Sequence, residues 1–248
     1  MYGKGLRALS IATAATIGVA LCLVFFYAPL DGDQGFIQKI FYLHVPLAIT
    51  ALVGFIVGAV HAIRHLRSGD RRHDVESYVS IHISVIFGVA VLLTGAIWAR
   101  ASWGKWFVWD EPTLVSFLIV FLLYATYYPF RYAIEDPERQ ARYASVFAIT
   151  AGAFVPLNFL AVRLAEPLIH PRVFATTGGG LPGSMMLTFL VSLAGMALLW
   201  LTLVRFELTA KNASAQLSRL RRAIEAPEPP AAVARPAAGV AARPSGGS

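Results

Sequence analysis

The chain carries one cysteine, Cys22, among 248 residues, and only 14% of its residues are Asp, Glu, Lys or Arg, against about 25% in soluble domains. A lone cysteine excludes an intrachain disulfide, a C-x-x-C redox or haem-attachment motif and a cysteine-built zinc site. The scarcity of charge excludes an ordinary water-soluble globule. No G-x-x-x-x-G-K-[ST] occurs, so the chain has no P-loop of its own. The run Gly178–Gly180 has no lysine behind it and reads as a loop. No repeat of ~20–50 residues is visible that would mark a solenoid.

Long uncharged runs take the place of charge. They are Ala8–Leu30, Ile40–Ile63, Ser77–Ala99, Pro112–Phe130, Tyr143–Val162 and the apolar part of a sixth, Leu181–Val204. Roughly 20 apolar residues at ~1.5 Å rise cross a ~30 Å hydrocarbon core. The expected fold is therefore an all-α integral membrane protein: a six-helix transmembrane bundle with a short Trp-rich outer segment. The crossings fall at about 8–30, 40–63, 77–99, 112–130, 143–162 and 181–204, within a domain of residues 1–205. The first run is too long for a signal peptide's ~7–15-residue apolar region, and no convincing small-x-small site follows, so it reads as a retained helix. Residues 206–248 form a tail. Phe206–Ile224 can prolong the last helix, while the Ala-, Pro- and Gly-rich stretch from about 225 has nothing to bury and reads as disordered.

Orientation follows from basic residues. The two termini and the loops 64–76 and 131–142 hold sixteen Lys/Arg; the alternate loops hold five. The positive-inside rule puts both termini in the cytoplasm. The net charge of +7 largely reflects this asymmetry. Scattered over short juxtamembrane loops, it makes no case for nucleic acid.

The outer side then holds an unusual segment, Arg100-Ala-Ser-Trp-Gly-Lys-Trp-Phe-Val-Trp-Asp-Glu-Pro112. Trp103, Trp106 and Trp109 stand three apart, and a helix would hold all three within a 120° arc. An interfacial aromatic belt accounts for such residues in many membrane proteins. Here, however, three of five tryptophans lie within seven residues. Asp110 and Glu111, just before Pro112, suit the cap and first turn of a helix, and capping is the simpler role for Glu111. Of six histidines, four sort to the inner side (His61, His65, His73 and His82). Two sort to the outer side: His44 in Phe41-Tyr-Leu-His-Val-Pro46, and His170 between the fifth and sixth crossings. Singly, a buried histidine is more often a hydrogen-bonded polar residue than a ligand. A pair flanking an aromatic surface suits the two axial positions of haem iron. Arg100, Lys105, Arg163 and Arg172 are the outer cations available to carboxylates, or equally to phosphate headgroups. Asn158, within the fifth run, is placed to bond a neighbouring helix.

The segment Trp103-Gly-Lys-Trp-Phe-Val-Trp-Asp110 resembles the tryptophan-rich "WWD" segment of haem-handling proteins. With six crossings, His44 near the outer end of the second and His170 between the fifth and sixth, the chain is similar to the haem exporter protein C (CcmC) family of cytochrome c maturation. The resemblance spans about residues 8–205. It implies haem b as a non-covalent, transiently held cargo, with His44 and His170 on its iron. Trp103, Gly104, Trp106, Phe107, Trp109 and Asp110 would form the haem-binding surface, and the four outer cations would be propionate partners. It implies a bacterial inner-membrane protein that is no enzyme. Its partners would be a periplasmic haem chaperone (CcmE-like), ABC-transporter subunits, a small single-span membrane subunit and membrane lipid. Two departures stand out: Phe107 replaces a tryptophan usual in the family, and His170 has no tryptophan beside it in sequence. The competing reading is a b-type cytochrome subunit, for which His61 and His82 would be the inner ligand pair.

Overall fold

In a hydrocarbon core no water pairs with backbone N–H and C=O groups, so an apolar run closes its own i→i−4 ladder as a helix. The computed structural model describes residues 3–164, 169–170 and 181–225. Six of its helices are long and apolar enough to cross a membrane. They are α1 (Leu6–Cys22), α2 (Phe41–Ser68), α3 (Arg71–Trp103), α4 (Pro112–Tyr132), α5 (Pro137–Leu164) and α6 (Gly183–Glu225). A π-helical turn, Leu23–Tyr27, prolongs α1, and a 3-10 turn, Phe36–Ile40, leads into α2. Among the described residues no strand forms beyond one bridge between Asp31 and Gly35. The chain is an all-α, multi-pass membrane bundle.

The helices outrun the uncharged stretches that announced them. Arg64 and Arg67 lie inside α2, and Arg71 and Arg72 inside α3. Arginine is a good helix former whose long stem carries its charge to water or headgroups. The link expected over 64–76 shrinks to Gly69 and Asp70. Gly69 ends α2 at φ +70°, a left-handed conformation that costs glycine little, and the Asp70 carboxylate caps α3 by accepting from Arg72 N at 2.8 Å. By contacts, the chain divides into Met1–Ala210 and Lys211–Ser248. The prolongation of the last helix past Phe206 runs to Glu225, and the stretch expected to be disordered, 226–248, lies outside the described residues.

In the first unit α2 packs most extensively on α3, and α5 on both α2 and α4. Small residues let the backbones approach. Ala144, Ala148 and Ala151 present one face of α5 and are buried. Phe55 of α2 and Tyr124 of α4 stack at 3.8 Å between ring centroids, and both belong to the core formed with Ile81 and Val120. A buried charge pair joins α3 and α4. Arg131 donates two bonds of 2.7 Å to the Asp74 carboxylate and one of 3.0 Å to Tyr127 Oη. Large apolar side chains such as Phe26 (89% exposed) and Leu93 (62%) point outward, as suits contact with lipid tails.

Candidate functional site

At the Trp103 end of the bundle, α2, α3, α4 and α5 leave a mostly apolar cavity of about 240 Å³. His44, Ala48 and Leu52 line it from one face of α2, as their spacing of four dictates. His44 can approach because the facing residue on α3 is Gly95: a Cβ there would stand 2.9 Å from His44 Cε1. His44 Nδ1 lies 3.0 Å from Thr94 Oγ1, while that hydroxyl donates to the Ala90 carbonyl at 2.7 Å. The threonine oxygen therefore accepts Nδ1–H. Nε2 is left with its lone pair, the arrangement by which a partner on one nitrogen prepares the other as a metal ligand.

The tryptophan segment forms the opposite wall, but not as one helix. α3 continues through Trp103 and stops at Gly104, φ +72°, after which residues 104–110 are irregular. The single face of three indoles therefore does not form, because the left-handed Gly104 breaks the 100° repeat between Trp103 and Trp106. Trp103, Trp106 and Phe107 still reach the cavity. Trp109 packs on Phe107 at 4.7 Å and is 71% exposed, outside the lining. Gly104 and Asp110 are exposed as well.

His170 reaches the cavity from a segment far away in sequence. Trp98 and Trp103 pack edge-on, 4.6 Å apart, and the His170 ring sits 6.2 Å from each. The tryptophans missing around His170 in sequence are supplied in space by α3. Its backbone is fixed by Glu111, whose Oε2 accepts from Ile169 N at 2.9 Å and His170 N at 3.1 Å. Glu111 also caps α4 through Thr113 N, so the expected cap is real but is half of its role. Glu111 is fully buried. Burial pushes its carboxyl up, but the N–H groups of Ile169, His170 and Thr113 outweigh that and hold it below the usual carboxylate range.

The candidate cations separate. The Arg100 guanidinium lies 5.9 Å from the Trp106 ring centre and donates to the Gly104 carbonyl. That of Arg163 lies 5.3 Å from the Phe159 ring centre. Both rings line the cavity, so each arginine stands at its rim. Lys105 is exposed, and Arg172 lies outside the described residues. Asn158, expected to bond a neighbouring helix, instead lines the cavity with its Oδ1 buried and unpartnered among the described residues. Sequence reasoning missed Trp98, whose indole N–H is held by Gln34 Oε1 at 3.1 Å. Its spacing of seven from Val91 was the available signal, but it fell inside a run read only for hydropathy.

The family model described as Heme exporter protein C matches residues 1–223. The chain belongs to the Heme exporter protein C family. Among curated relatives, Heme exporter protein C of Paracoccus denitrificans is 31% identical over 223 residues, covering 83% of this chain and 90% of that protein. The Bradyrhizobium diazoefficiens protein of the same name is 33% identical over 180 residues, 71% of this chain and 67% of that one. A mitochondrial relative from Marchantia polymorpha, 28% identical over 169 residues (68% of this chain, 71% of that protein), has a name referring to cytochrome c biosynthesis.

For a member of a haem exporter family, the donor set suits the cargo. Two imidazoles, aromatic walls and arginines at the rim match an iron porphyrin with two carboxylates. The other four histidines lie outside this cavity and have partners of their own. His61 and His73 meet Glu76, His65 Nδ1 meets Ser145 Oγ at 2.8 Å, and His82 Nδ1 meets Glu207 Oε2 at 2.7 Å. The pair that a b-type cytochrome would use, His61 and His82, thus has separate carboxylate partners.

Proposed function

We propose that this chain holds haem b, non-covalently and transiently, at the outer face of the bacterial cytoplasmic membrane and presents it to a periplasmic haem chaperone for c-type cytochrome assembly. The supporting observation is the single cavity lined by His44, His170, Trp98, Trp103, Trp106 and Phe107. Both termini are cytoplasmic, which gives the sixteen basic residues the inner side and the tryptophans the outer. Residues 1–205 do the haem handling, and the tail from 206 belongs to the cytoplasm. The protein carries and does not catalyse. ABC-transporter subunits and a small single-span subunit complete the complex, since ATP hydrolysis needs another chain.

In this reading His44 and His170 take the two axial positions. His44 is the fixed ligand, held by Thr94 on a packed helix. His170 is the ligand that yields on transfer, because it stands outside the packed helices, with its backbone anchored on the Glu111 carboxylate. Arg100 and Arg163 at the rim take the propionates, with Lys105 and Arg172 as further partners. Gly104, Trp109 and Asp110, exposed beside the cavity, complete the surface from which the haem departs.

The test is the haem spectrum of purified protein. His44→Ala should lower haem occupancy at least tenfold. His170→Ala should leave five-coordinate haem, restored to six-coordination by imidazole, and should impair transfer to the chaperone. His82→Ala should change neither. Loss of haem from His82→Ala with His44→Ala unaffected would support the b-type cytochrome instead.

A further inference from the structure

Near the opposite end of α2 a second cluster has the chemistry of a metal site. His61 of α2 and His73 and Glu76 of α3 each offer a donor atom within 4.8 Å of the others. His61 lies seventeen residues beyond His44 on the same helix, ~25 Å away at ~1.5 Å per residue. The cluster is therefore separate from the haem cavity.

Its geometry differs from that of an ordinary buried ion pair. Both imidazoles direct Nδ1 at a single oxygen, Glu76 Oε2, from 3.1 Å (His61) and 2.9 Å (His73). Metal–ligand bonds of ~2.0–2.1 Å in a tetrahedron set donors ~3.3 Å apart, so both separations are within a few tenths of an ångström of a tetrahedral edge. The His61 ring is held differently from that of His73. Its Nδ1 is buried and makes no hydrogen bond among the described residues, despite standing beside a carboxylate. A buried nitrogen so placed, beside a carboxylate oxygen that a second imidazole also faces, suits a shared cation. The other carboxylate oxygen, Oε1, accepts from Arg72 Nε at 3.0 Å, an outer bond of the kind that orients a ligating carboxylate. The three side chains are 20%, 25% and 9% exposed for His61, His73 and Glu76, which leaves a path for an ion and a water.

We propose that His61, His73 and Glu76 bind one divalent transition-metal ion of the Zn²⁺ class through two imidazole nitrogens and one carboxylate oxygen, with water in the fourth position. Two neutral imidazoles and one carboxylate select such a metal over Mg²⁺ or Ca²⁺, which take oxygen ligands. Bound there, the ion ties α2 to the first turns of α3 across the Gly69–Asp70 link.

The test uses the full-length, untagged protein in detergent, stripped with a chelator and titrated with Co²⁺. The expected result is one equivalent bound per chain, with visible d–d absorption of tetrahedral intensity that Zn²⁺ abolishes by competition. His61→Ala, His73→Ala and Glu76→Gln should each weaken binding at least tenfold, and His65→Ala should not. Absence of a saturable band from the stripped wild-type protein overturns the proposal without recourse to any variant. A band that survives in folded Glu76→Gln and His73→Ala overturns it equally.

Discussion

The two ends of α3 use the same chemistry in opposite ways. Near its start, Glu76 meets the rings of His61 and His73 directly, while Asp74 is clamped by Arg131. Beyond its end, the carboxylate of Glu111 accepts from backbone N–H groups of the His170 segment and of Thr113, and His44 has a neutral hydroxyl for a partner. An imidazole facing a carboxylate is committed to a proton or a cation. One oriented by a hydroxyl keeps a lone pair for a ligand. Burial of charge also divides along the helix. The pair at the start closes on itself, whereas the buried Glu111 carboxylate at the far end is stabilised by backbone N–H groups of Ile169, His170 and Thr113.

The largest effect expected from breaking this contrast is on stability. Asp74→Ala leaves the Arg131 guanidinium buried without its carboxylate, a loss of about 3–5 kcal/mol. Thermal unfolding in detergent should register it, and the surviving folded protein should keep an unchanged haem spectrum. Loss of haem from folded Asp74→Ala would mean that the two ends are not independent.

Gly95→Ala probes the other end. The added methyl meets His44 Cε1 at 2.9 Å, and such overpacking costs about 1–3 kcal/mol. Here the haem spectrum and affinity should suffer more than the melting temperature, the reverse of Asp74→Ala.

Glu111 gives a pH dependence with a definite sign. Its folded carboxyl is held below the ordinary range, so the anchoring it contributes is complete above the unfolded value of ~4.3 and is lost as pH falls through the lower folded value. Protection of the Ile169 and His170 amides from hydrogen exchange, taken relative to their intrinsic rates at each pH, should be full near neutrality and lost only on acidification below that range. Glu111→Ala should abolish the dependence and cost about 1–3 kcal/mol for the backbone donors of Ile169, His170 and Thr113 left without their acceptor.

The smallest effect belongs to Trp109. It is 71% exposed and outside the cavity, so Trp109→Ala should alter stability by less than about 0.5 kcal/mol. Haem retention should fall less than in Trp103→Ala, measured by the same spectrum. An equal loss from both would restore the single aromatic face that Gly104 interrupts.

Hydropathy and the spacing of charges determined the six helices of this protein, because a span without water leaves the backbone no other way to satisfy its polar groups. The Ser68-Gly-Asp70 stop and start was equally local, although charge content alone suggested a longer loop there. His44, Trp103, Trp106, Phe107 and His170 could be singled out from residue type and depth. Their convergence on one cavity could not, since it depends on α3 packing against α2 through Gly95 and on Glu111 reaching the backbone of a segment 58 residues away. Trp98 entered the site for the same reason: near the end of an apolar run, its role is set by what lies across from it. The partition of the histidines was likewise decided in three dimensions. Sequence placed four of them on one side, but only the packed helices brought a carboxylate to His61, His73 and His82 and a hydroxyl to His44 and His65, and so fixed what each imidazole faces.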